Sequence, residues 1–598
     1  MKRVGLTCVA AVLGAWPILA GAFPALDFQF ATGTKDDLKD SLEAVSVLTE
    51  LKSREDVVPS DILAAAQGDY TRLVEALYAQ GYYGPVVRIL LDGREAATIP
   101  PFEAPARVQR IEVKVDPGRI FDFGLARVAP QAPNTPETEG FDTGEPARAN
   151  AVRAAAQDAV EAWRQVGNAK AEISGQEITA RHDDRLLDVD VRIDPGRRYT
   201  FGDVRVKSES AVKDARIRQI AGIPRGEVFD PDAVEKGAER LRATGTFRSV
   251  TLDEVAQDGD QLDIEIDVTD RKPRRIGAGA ELSSNEGLTL SAFWMHRNLL
   301  GGAERFRIDG EVRQLGGAGM NPDYEISTRF EKPAVYGADT LFFATASVAY
   351  EDEPDYISER VELGIGVNQE FSDTLTGELG FTLSRSNITD LYLPGEPERR
   401  LDVFAMPTAL TWDTRDVALD ATEGFYVRAD VEPFTIVSGN DSGARLMLDA
   451  RAYRGFGEDN AVVAAARFQL GALSGPTAAV APPDYLFYSG GGGTVRGQPF
   501  ESLDADYGGT RLGGRSFVGL SGELRVDVAR NIGVVAFADA GYIGGESFYD
   551  GSGNWHSGAG LGLRYDTPVG PIRLDVAGPV GGDTGDGVQL YIGIGQAF

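Results

Sequence analysis

The sequence predicts two fold classes in one chain: α+β repeats in the first part and an all-β, antiparallel transmembrane barrel in the rest. Three observations predict this division. A ten-residue pattern occurs twice before residue 272, and helical periodicity ends near Arg274. From there to Phe598, apolar and polar residues alternate along successive segments. A repeat region therefore precedes a sheet with one apolar and one polar face.

The first 22 residues differ from everything that follows. The basic pair Lys2-Arg3 precedes an apolar run, Val4–Leu19, and then three small residues. This order is typical of a secretory signal peptide, with cleavage expected before Phe23. Cys8 is the only cysteine of the sequence and lies in this segment. We therefore expect neither disulfides nor thiolate chemistry in the mature chain.

The composition excludes several classes of function. The 598 residues include 60 Lys and Arg against 91 Asp and Glu, a formal net charge of −31, which argues against nucleic-acid binding. The three histidines, His182, His296 and His556, lie far apart and show no metal-ligand spacing. Phosphate-binding loops and nucleophile-elbow motifs do not occur. We expect no enzyme activity, no cofactor and no metal.

The first region repeats a turn between two strands. Val115–Gly124 recurs as Ile193–Gly202, and both copies contain Asp-Pro-Gly-Arg followed by two aromatic residues with one residue between them. Each copy leads into a predicted helix, Ala149–Gln165 or Asp230–Ala243, and then into two strands. A looser copy precedes them, with helices predicted from Lys35 onward. The pattern predicts three βααββ modules.

The second region alternates with a period of two. Apolar and charged residues alternate in Val427–Glu432, Leu524–Val528 and Ile572–Val576, so each strand has one apolar face and one charged face. A soluble sandwich would show the same alternation. A strongly charged inner face, an outer face rich in Ala, Val and Leu, and a last strand that runs to Phe598 favour a transmembrane barrel. In a bilayer, that strand must pair with the first one.

One Gly-rich loop and two strands carry the residues that we single out. Val495-Arg496-Gly497 follows four glycines, and Glu523 and Asp539 lie on later strands. The alternation places Phe537 and Asp539 on the face of their strand that does not carry the alanines. It places Glu523 on the charged face of its own strand. We predict that Arg496 enters the lumen, where both carboxylates bind its guanidinium and Phe537 stacks on it. The alternative, separate solvated charges, stays open on these residues alone.

A second predicted site is the seam where the first and last strands meet. Gly277 and Gly279 lie in the first strand, and Gly593 and Gly595 lie in the last, which we expect to end at Phe598. Glycines leave little side-chain packing across a strand pair. Such a seam would open sideways and offer its edges to an incoming strand. The alternative is a wall that tolerates glycine where it bends.

These motifs resemble the outer-membrane assembly-factor superfamily, in which periplasmic POTRA modules precede a surface-antigen barrel. Val495-Arg496-Gly497 is similar to the family's VRG loop, and Phe537–Gly541 is similar to the strand motif that pairs with it. Asn298–Gly302 and Asp413–Asp416 resemble two family turns. The family usually has an aromatic residue at the position of Gln498. The resemblance covers nearly the whole mature chain and implies a barrel of about 16 strands.

The resemblance also implies a domain division: signal peptide 1–22, POTRA 1 at 23–118, POTRA 2 at 119–197, POTRA 3 at 198–272 and the barrel at 273–598. Three modules are most similar to the TamA type, the translocation and assembly module subunit. This type implies the cell outer membrane of a Gram-negative bacterium, with the POTRA modules in the periplasm.

The function implied by the resemblance is that of a non-enzymatic insertase. It would receive unfolded outer-membrane client proteins, such as autotransporters, on its POTRA sheet edges and fold them into outer-membrane lipid at the lateral seam. A TamB-like, inner-membrane-anchored protein that spans the periplasm is the implied partner. The alternatives are a two-partner-type polypeptide secretion pore and a passive outer-membrane solute channel.

Overall fold

The computed structural model describes residues 23–54, 57–283, 287–316, 321–353, 355–457, 460–529, 531–567, 570–585 and 587–598. The predicted signal peptide, residues 1–22, lies outside them. The chain forms two compact units. The first consists of the residues up to Gly202 with Arg225–Pro231 and Ala256–Leu262, and the second of Asp203–Pro224, Asp232–Val255 and Asp263–Phe598.

The first unit begins with a mixed sheet covered by helices. Strand β1 runs parallel to β4, which pairs antiparallel with β2, and β3 extends the sheet beyond β2. Leu42, Leu73 and Ile89 are fully buried in the core between sheet and helices. The elements are β1 (Ala25–Phe30), α1 (Asp36–Val45), α2 (Val47–Leu51), α3 (Pro59–Ala79), β2 (Val86–Leu91), β3 (Arg94–Glu95), a 3₁₀ turn (Ala96–Thr98) and β4 (Arg110–Asp116).

The second sheet corrects the predicted module order. It contains β5 (Asp122–Ala129), α4 (Ala149–Gln165), β6 (Glu172–Arg181) and β7 (Leu186–Asp194), in the order β5-β7-β6. A βααββ order is wrong here, because residues 130–148 contain no helix. Prolines at positions 130, 133, 136 and 146 explain this, since proline lacks the N–H that a helix interior requires.

The third sheet has the predicted two helices. Its order is β8-β10-β9, from β8 (Thr200–Val206), α5 (Asp214–Ala221), α6 (Pro231–Ala243), β9 (Phe247–Ala256) and β10 (Gln261–Asp270). Both helices contact barrel turns within the second unit. Arg240 binds Asp339 through two bonds of 2.6 and 3.0 Å, and Gln219 donates to the Ala334 carbonyl at 2.9 Å. These contacts hold the helices against one end of the barrel.

An antiparallel barrel makes up most of the second unit. Segments β18 and β19 both lie between β17 and β20, and Pro407 separates them, so they fill one position of the wall. Counted this way, the described chain has sixteen wall positions, which confirms the expected architecture. The segments are β11 (Arg274–Ser283), β12 (Gly287–His296), β13 (Arg305–Leu315), β14 (Asp323–Lys332), β15 (Thr340–Glu353), β16 (Tyr356–Ser372), β17 (Leu375–Asp390), β18 (Glu398–Ala405), β19 (Thr408–Asp413), β20 (Gly424–Ile436), β21 (Asp441–Phe456), β22 (Val462–Ser474), two short strands outside the wall, β23 (Ala505–Asp506) and β24 (Arg511–Leu512), then β25 (Ser516–Ala529), β26 (Ile532–Gly544), β27 (Asn554–Tyr565), β28 (Ile572–Gly581) and β29 (Gln589–Ile594).

The two faces of the wall differ as the alternation predicts. On β25, Leu524 is 49% exposed on the outer face, whereas its neighbours Glu523 and Arg525 are 5% and 6% exposed. Large apolar side chains on an outer face are typical of strands that face lipid. Within the described residues, no helix has both the length and the apolar character that crossing a bilayer requires.

The last strand is shorter than predicted. β29 ends at Ile594, and Gly595 adopts a left-handed φ of +88°. Its N–H donates to the Pro571 carbonyl at 2.7 Å, and Phe598 is buried beside Tyr453. The expectation that the strand runs to Phe598 is wrong, because the left-handed turn takes the last residues out of the wall and into the lumen.

The seam contains few residue pairs. In the described residues, β11 and β29 pair at Leu282–Ile592 and Ser283–Tyr591, whereas β15 and β16 pair over the whole of β15. Among the described residues, β15 and β16 are therefore paired far more extensively than the first and last strands.

A hydrogen-bond network in the first module links α3 to the sheet. Glu95 accepts from Arg88 Nε and from the Ile89 N–H, each at 3.0 Å, and from the Tyr70 hydroxyl. Burial acts against ionisation of Glu95, but the Tyr70, Arg88 and backbone hydrogen bonds outweigh it and lower the pKa of Glu95. Burial, together with the hydrogen bond to Glu95, raises the pKa of Tyr70 to about 12.

We predict that Glu95 makes the stability of the first module pH-dependent. A folded pKa below the unfolded value, about 4.3, contributes stability that is complete above that value. The contribution is lost as the pH falls through the folded pKa. Hydrogen exchange on the full chain should therefore show a smaller acid-induced loss of protection in Glu95→Gln than in the wild type. Glu103→Gln, at an exposed site, is the control; equal acid sensitivity in all three proteins would contradict the prediction.

Candidate functional site in the barrel lumen

The loop between β22 and β25 folds back into the barrel. Its tip is buried: Val495 and Gln498 are fully covered and Arg496 is 3% exposed. Gly497 has a φ of +93°, and a Cβ there would collide with the backbone of Gly578 on β28. Only glycine fits this position, since it combines a left-handed conformation with direct contact between two backbones.

Arg496 is the centre of the site. Its Nε and Nη2 bind the two oxygens of Asp539 at 2.8 and 3.0 Å, and its backbone N–H donates to Asp539 at 3.1 Å. Nη1 binds Glu523 at 2.6 Å and lies 3.5 Å from Asp575 Oδ2. The planar fork of a guanidinium matches such paired carboxylates.

Small residues on the wall make room for the loop. The Arg496 guanidinium lies 3.7 Å from the centre of the Phe537 ring. On β27, a Cβ at Gly558 would collide with the Arg496 carbonyl, and one at Gly560 would meet the Phe537 ring. The glycines of this strand thus let the loop backbone and the stacked ring lie directly against the wall.

The structure brings together all six residues predicted around the loop: Val495, Arg496, Gly497, Glu523, Phe537 and Asp539. It does not bring the four seam glycines together. Gly277 and Gly279 pair with β12, and Gly593 pairs with Arg573 of β28. Gly595 lies beyond the end of β29, and Phe598 lies in the lumen rather than in the seam.

Three charged residues of the site were missed at the level of the sequence. Asp575 and Arg564 form a buried ion pair beside Arg496. Arg525 donates to Glu523 at 2.9 Å. With them, three arginines balance three carboxylates, which a low-dielectric site requires. Arg525 and Asp575 lie on the charged faces of their strands, as Glu523 does. The alternation of apolar and charged residues was therefore a signal for both.

The site also contacts the last residues of the chain. Arg525 Nη2 donates to the Phe598 carbonyl at 3.1 Å. The N–H of Gly497 donates to the Tyr591 hydroxyl of β29 at 3.1 Å. The loop, the ion pairs and the residues next to the seam therefore form one connected set of contacts.

Gln498 has a defined place in this structure. Its amide nitrogen donates to the carbonyls of Ser557 and Gly581 at 2.8 and 3.1 Å, so it attaches the loop to β27 and β28. It does so through hydrogen bonds, where the resemblance led us to expect an aromatic side chain. Across the described residues, no cluster of His, Cys, Asp and Glu side chains is arranged to hold a metal ion.

These features define an antiparallel outer-membrane-type barrel, preceded by α+β modules and plugged by an arginine-bearing loop. The family comparison agrees: the model of the Omp85 superfamily domain matches residues 298–598, and that of the POTRA domain, the surface antigen variable number repeat, matches residues 199–271. The first match covers just over half of the sequence, and the chain belongs to the Omp85 superfamily. It is an outer-membrane protein with periplasmic POTRA modules, as predicted.

Two curated relatives are similar over part of their length. Outer membrane protein assembly factor BamA of Neorickettsia risticii (strain Illinois) is 23% identical over 452 residues, which cover 69% of this chain and 57% of that protein. Outer envelope protein 80, chloroplastic, of Arabidopsis thaliana is 24% identical over 388 residues, 59% of this chain and 50% of that protein. The chain thus spans about half the length of the curated relatives it matches.

Solved structures share the fold. BamA from Haemophilus ducreyi lacking POTRA domains 1–3 aligns with a TM-score of 0.62 at 16% identity, over 79% of this chain and 99% of that one. CdiB from Acinetobacter baumannii aligns with a TM-score of 0.51 at 10% identity, over 79% and 90%.

We predict that Arg496→Lys destabilises the docked loop although it keeps the charge. A single ammonium cannot reproduce the fork that binds Asp539 and Glu523, and each lost hydrogen bond to a charged group costs about 1.5–3 kcal/mol. Arg511→Lys on the same loop is the matched control, because Arg511 is exposed and pairs with Asp504, an interaction worth about 0–1 kcal/mol. Urea unfolding of the full chain in lipid, followed by tryptophan fluorescence, measures the free energy of unfolding of both variants. Equal losses in the two variants would contradict the prediction.

Proposed function

We propose that this protein is a non-enzymatic outer-membrane insertase, which receives unfolded β-strand clients in the periplasm and folds them into the membrane at the seam between β11 and β29. The observation that carries the proposal is the short pairing at this seam. In the described residues, β29 pairs with β28 from Ile572 to Ala577 but with β11 at two residues. Judged by the described strand pairs, the seam is therefore the place where opening the wall breaks the fewest backbone hydrogen bonds.

The first strand offers a template for an incoming strand. In the described residues, β11 pairs with β29 at Leu282 and Ser283. The rest of β11, from Arg274 to Glu281, therefore forms a strand edge that does not pair with β29 in the described chain. An edge strand presents backbone N–H and C=O groups to another chain. A client strand that pairs there completes its hydrogen bonds and turns its apolar face to lipid. Both changes are favourable in a bilayer and need no nucleotide.

The docked loop would control this seam. Glu523 binds Arg496 of the loop and also Arg525, which holds Phe598. Withdrawal of Arg496 leaves Glu523 and Asp539 without their main cation, which is unfavourable in a buried site. The loop therefore acts as a conformational lock rather than as a catalytic group, and its release would loosen the last residues of the chain.

Within the superfamily, we propose the TamA type. Three α+β sheets precede the barrel in the described chain, which supports this choice. The proposal includes a TamB-like partner that spans the periplasm, clients such as autotransporters, and a POTRA sheet edge that binds client peptide by β-augmentation. A polypeptide secretion pore is the second candidate, because withdrawal of the loop would open the lumen to a chain. A passive solute channel fits less well with a lumen that this loop occupies.

We predict that the purified protein in liposomes accelerates the folding of an unfolded outer-membrane barrel protein, measured by protease protection, and that Arg496→Ala loses most of the acceleration. The variant should itself insert normally, because the loop lies outside the wall hydrogen bonds. Arg511→Ala is the control and should act like the wild type. Wild-type activity in Arg496→Ala would contradict the lock. Solute leakage without any acceleration would support the pore candidates instead.

We predict that a disulfide across the seam stops client folding. The pair Leu282→Cys and Ile592→Cys joins two residues in register, and the mature sequence offers no competing cysteine if cleavage occurs before Phe23. Oxidation should abolish the acceleration, and reduction should restore it. Val348→Cys with Val361→Cys joins β15 to β16 in the same way and should have no effect. Unchanged activity after seam oxidation would exclude lateral opening.

A further inference from the structure

A second set of contacts, formed by three buried residues and the half-buried Thr584, lies beside the loop tip and is separate from the ion pairs. It runs from Ser489 through His556 of β27 and Thr584 to Gln498. Ser489 Oγ lies 2.8 Å from His556 Nε2, and His556 Nδ1 lies 2.8 Å from Thr584 Oγ1. Thr584 Oγ1 lies 2.8 Å from Gln498 Oε1. The set therefore begins one residue before Gly490 and ends one residue after Gly497, so that it connects the two ends of the tip.

The partners fix the direction of every hydrogen bond in this set. The two partners of Gln498 Nε2 are the carbonyls of Ser557 and Gly581, which can only accept, so Gln498 Oε1 must face Thr584. The single hydroxyl proton of Thr584 then goes to Gln498. Thr584 Oγ1 must accept from His556, which places a proton on Nδ1. In a neutral imidazole, Nε2 is then an acceptor, and Ser489 donates to it.

Burial makes this arrangement costly to disturb. Ser489 and His556 are each 1% exposed, and Gln498 is fully buried. The hydrogen-bond partners of His556 in the described chain are two hydroxyl groups, with no carboxylate to stabilise an imidazolium. Removing one member would leave the next donor or acceptor without its partner beside the buried Ser489, His556 and Gln498.

The turn between β28 and β29 is built around the same contacts. A Cβ at Gly582 would collide with His556, and one at Gly585 would collide with Pro499, which follows Gln498. Thr584 lies between these two glycines, so the turn presents its hydroxyl directly to the loop. The set of hydrogen bonds thus attaches the loop to the turn next to the seam strand.

We propose that His556, Thr584 and Gln498 are positioning residues that hold the loop tip in the lumen through this one-directional hydrogen-bond chain, with His556 as the neutral Nδ1–H tautomer. The chain acts on the loop rather than on the client. The anchor itself is independent of the proposed function; only its effect on client folding rests on the insertase role.

The test uses Thr584→Val, which keeps the side-chain shape and removes the hydroxyl, with Thr584→Ser as the variant that restores it. Trypsin cleavage after Arg496, measured by mass spectrometry on the full chain in lipid, reports the release of the loop. We expect cleavage about tenfold faster in Thr584→Val, as for the loss of a hydrogen bond that holds the folded loop, and the wild-type rate in Thr584→Ser. Equal rates in all three proteins would overturn the proposal.

A spectroscopic measurement separates this anchor from a merely structural role. The sequence has three histidines, so ¹⁵N-histidine labelling gives three rings, of which two are assigned with His182→Gln and His296→Gln. His556 should show the Nδ1–H tautomer in the wild type and in Thr584→Ser, and a different tautomer population in Thr584→Val. An Nε2–H ring in the wild type would overturn the proposal. Faster cleavage with unchanged client folding would support the anchor and count against the insertase role of the loop.

Discussion

The buried guanidinium of Arg496 is the interaction on which the rest of the lumen depends. A cation in a buried site is stable only when carboxylates and hydrogen bonds replace its hydration. Asp539, Glu523 and Asp575 meet this requirement from three different strands. Arg525 and Arg564 then balance the added negative charges. One buried arginine therefore explains why this part of the wall carries so many ionised side chains.

The same site connects parts of the chain that lie far apart in the sequence. Glu523 is shared between Arg496 of the loop and Arg525 of the wall, and Arg525 contacts Phe598. Gly497 reaches Tyr591 through its backbone. Because ion pairs and hydrogen bonds in a buried network depend on one another, a change at the loop tip also changes the contacts next to the seam. This connection gives the proposed lock its physical basis.

Much of the architecture follows from local patterns. The alternation beyond Arg274 predicted a barrel wall with charged residues inside, and Leu524 and Glu523 lie on the expected faces. The repeated Asp-Pro-Gly-Arg turn predicted the module spacing. Two predictions from these patterns were wrong: a second helix in the second module, where a proline-containing segment lies instead, and the end of the last strand. There Gly595 looked like any strand glycine, since its left-handed φ depends on contacts with Pro571 that no local pattern contains.

The sequence by itself determined which face of each strand is polar, because a period of two follows from strand geometry alone. It also identified Arg496 and its two main carboxylates by residue type and register. Only the tertiary structure decided how the charges are shared among Arg525, Arg564 and Asp575, and how Gln498 joins His556 through Thr584. Arg496 and Asp575 are 79 positions apart, and Gln498 and Thr584 are 86 positions apart. Their geometry depends on how the closed wall and the loop fit together, which exists only after folding.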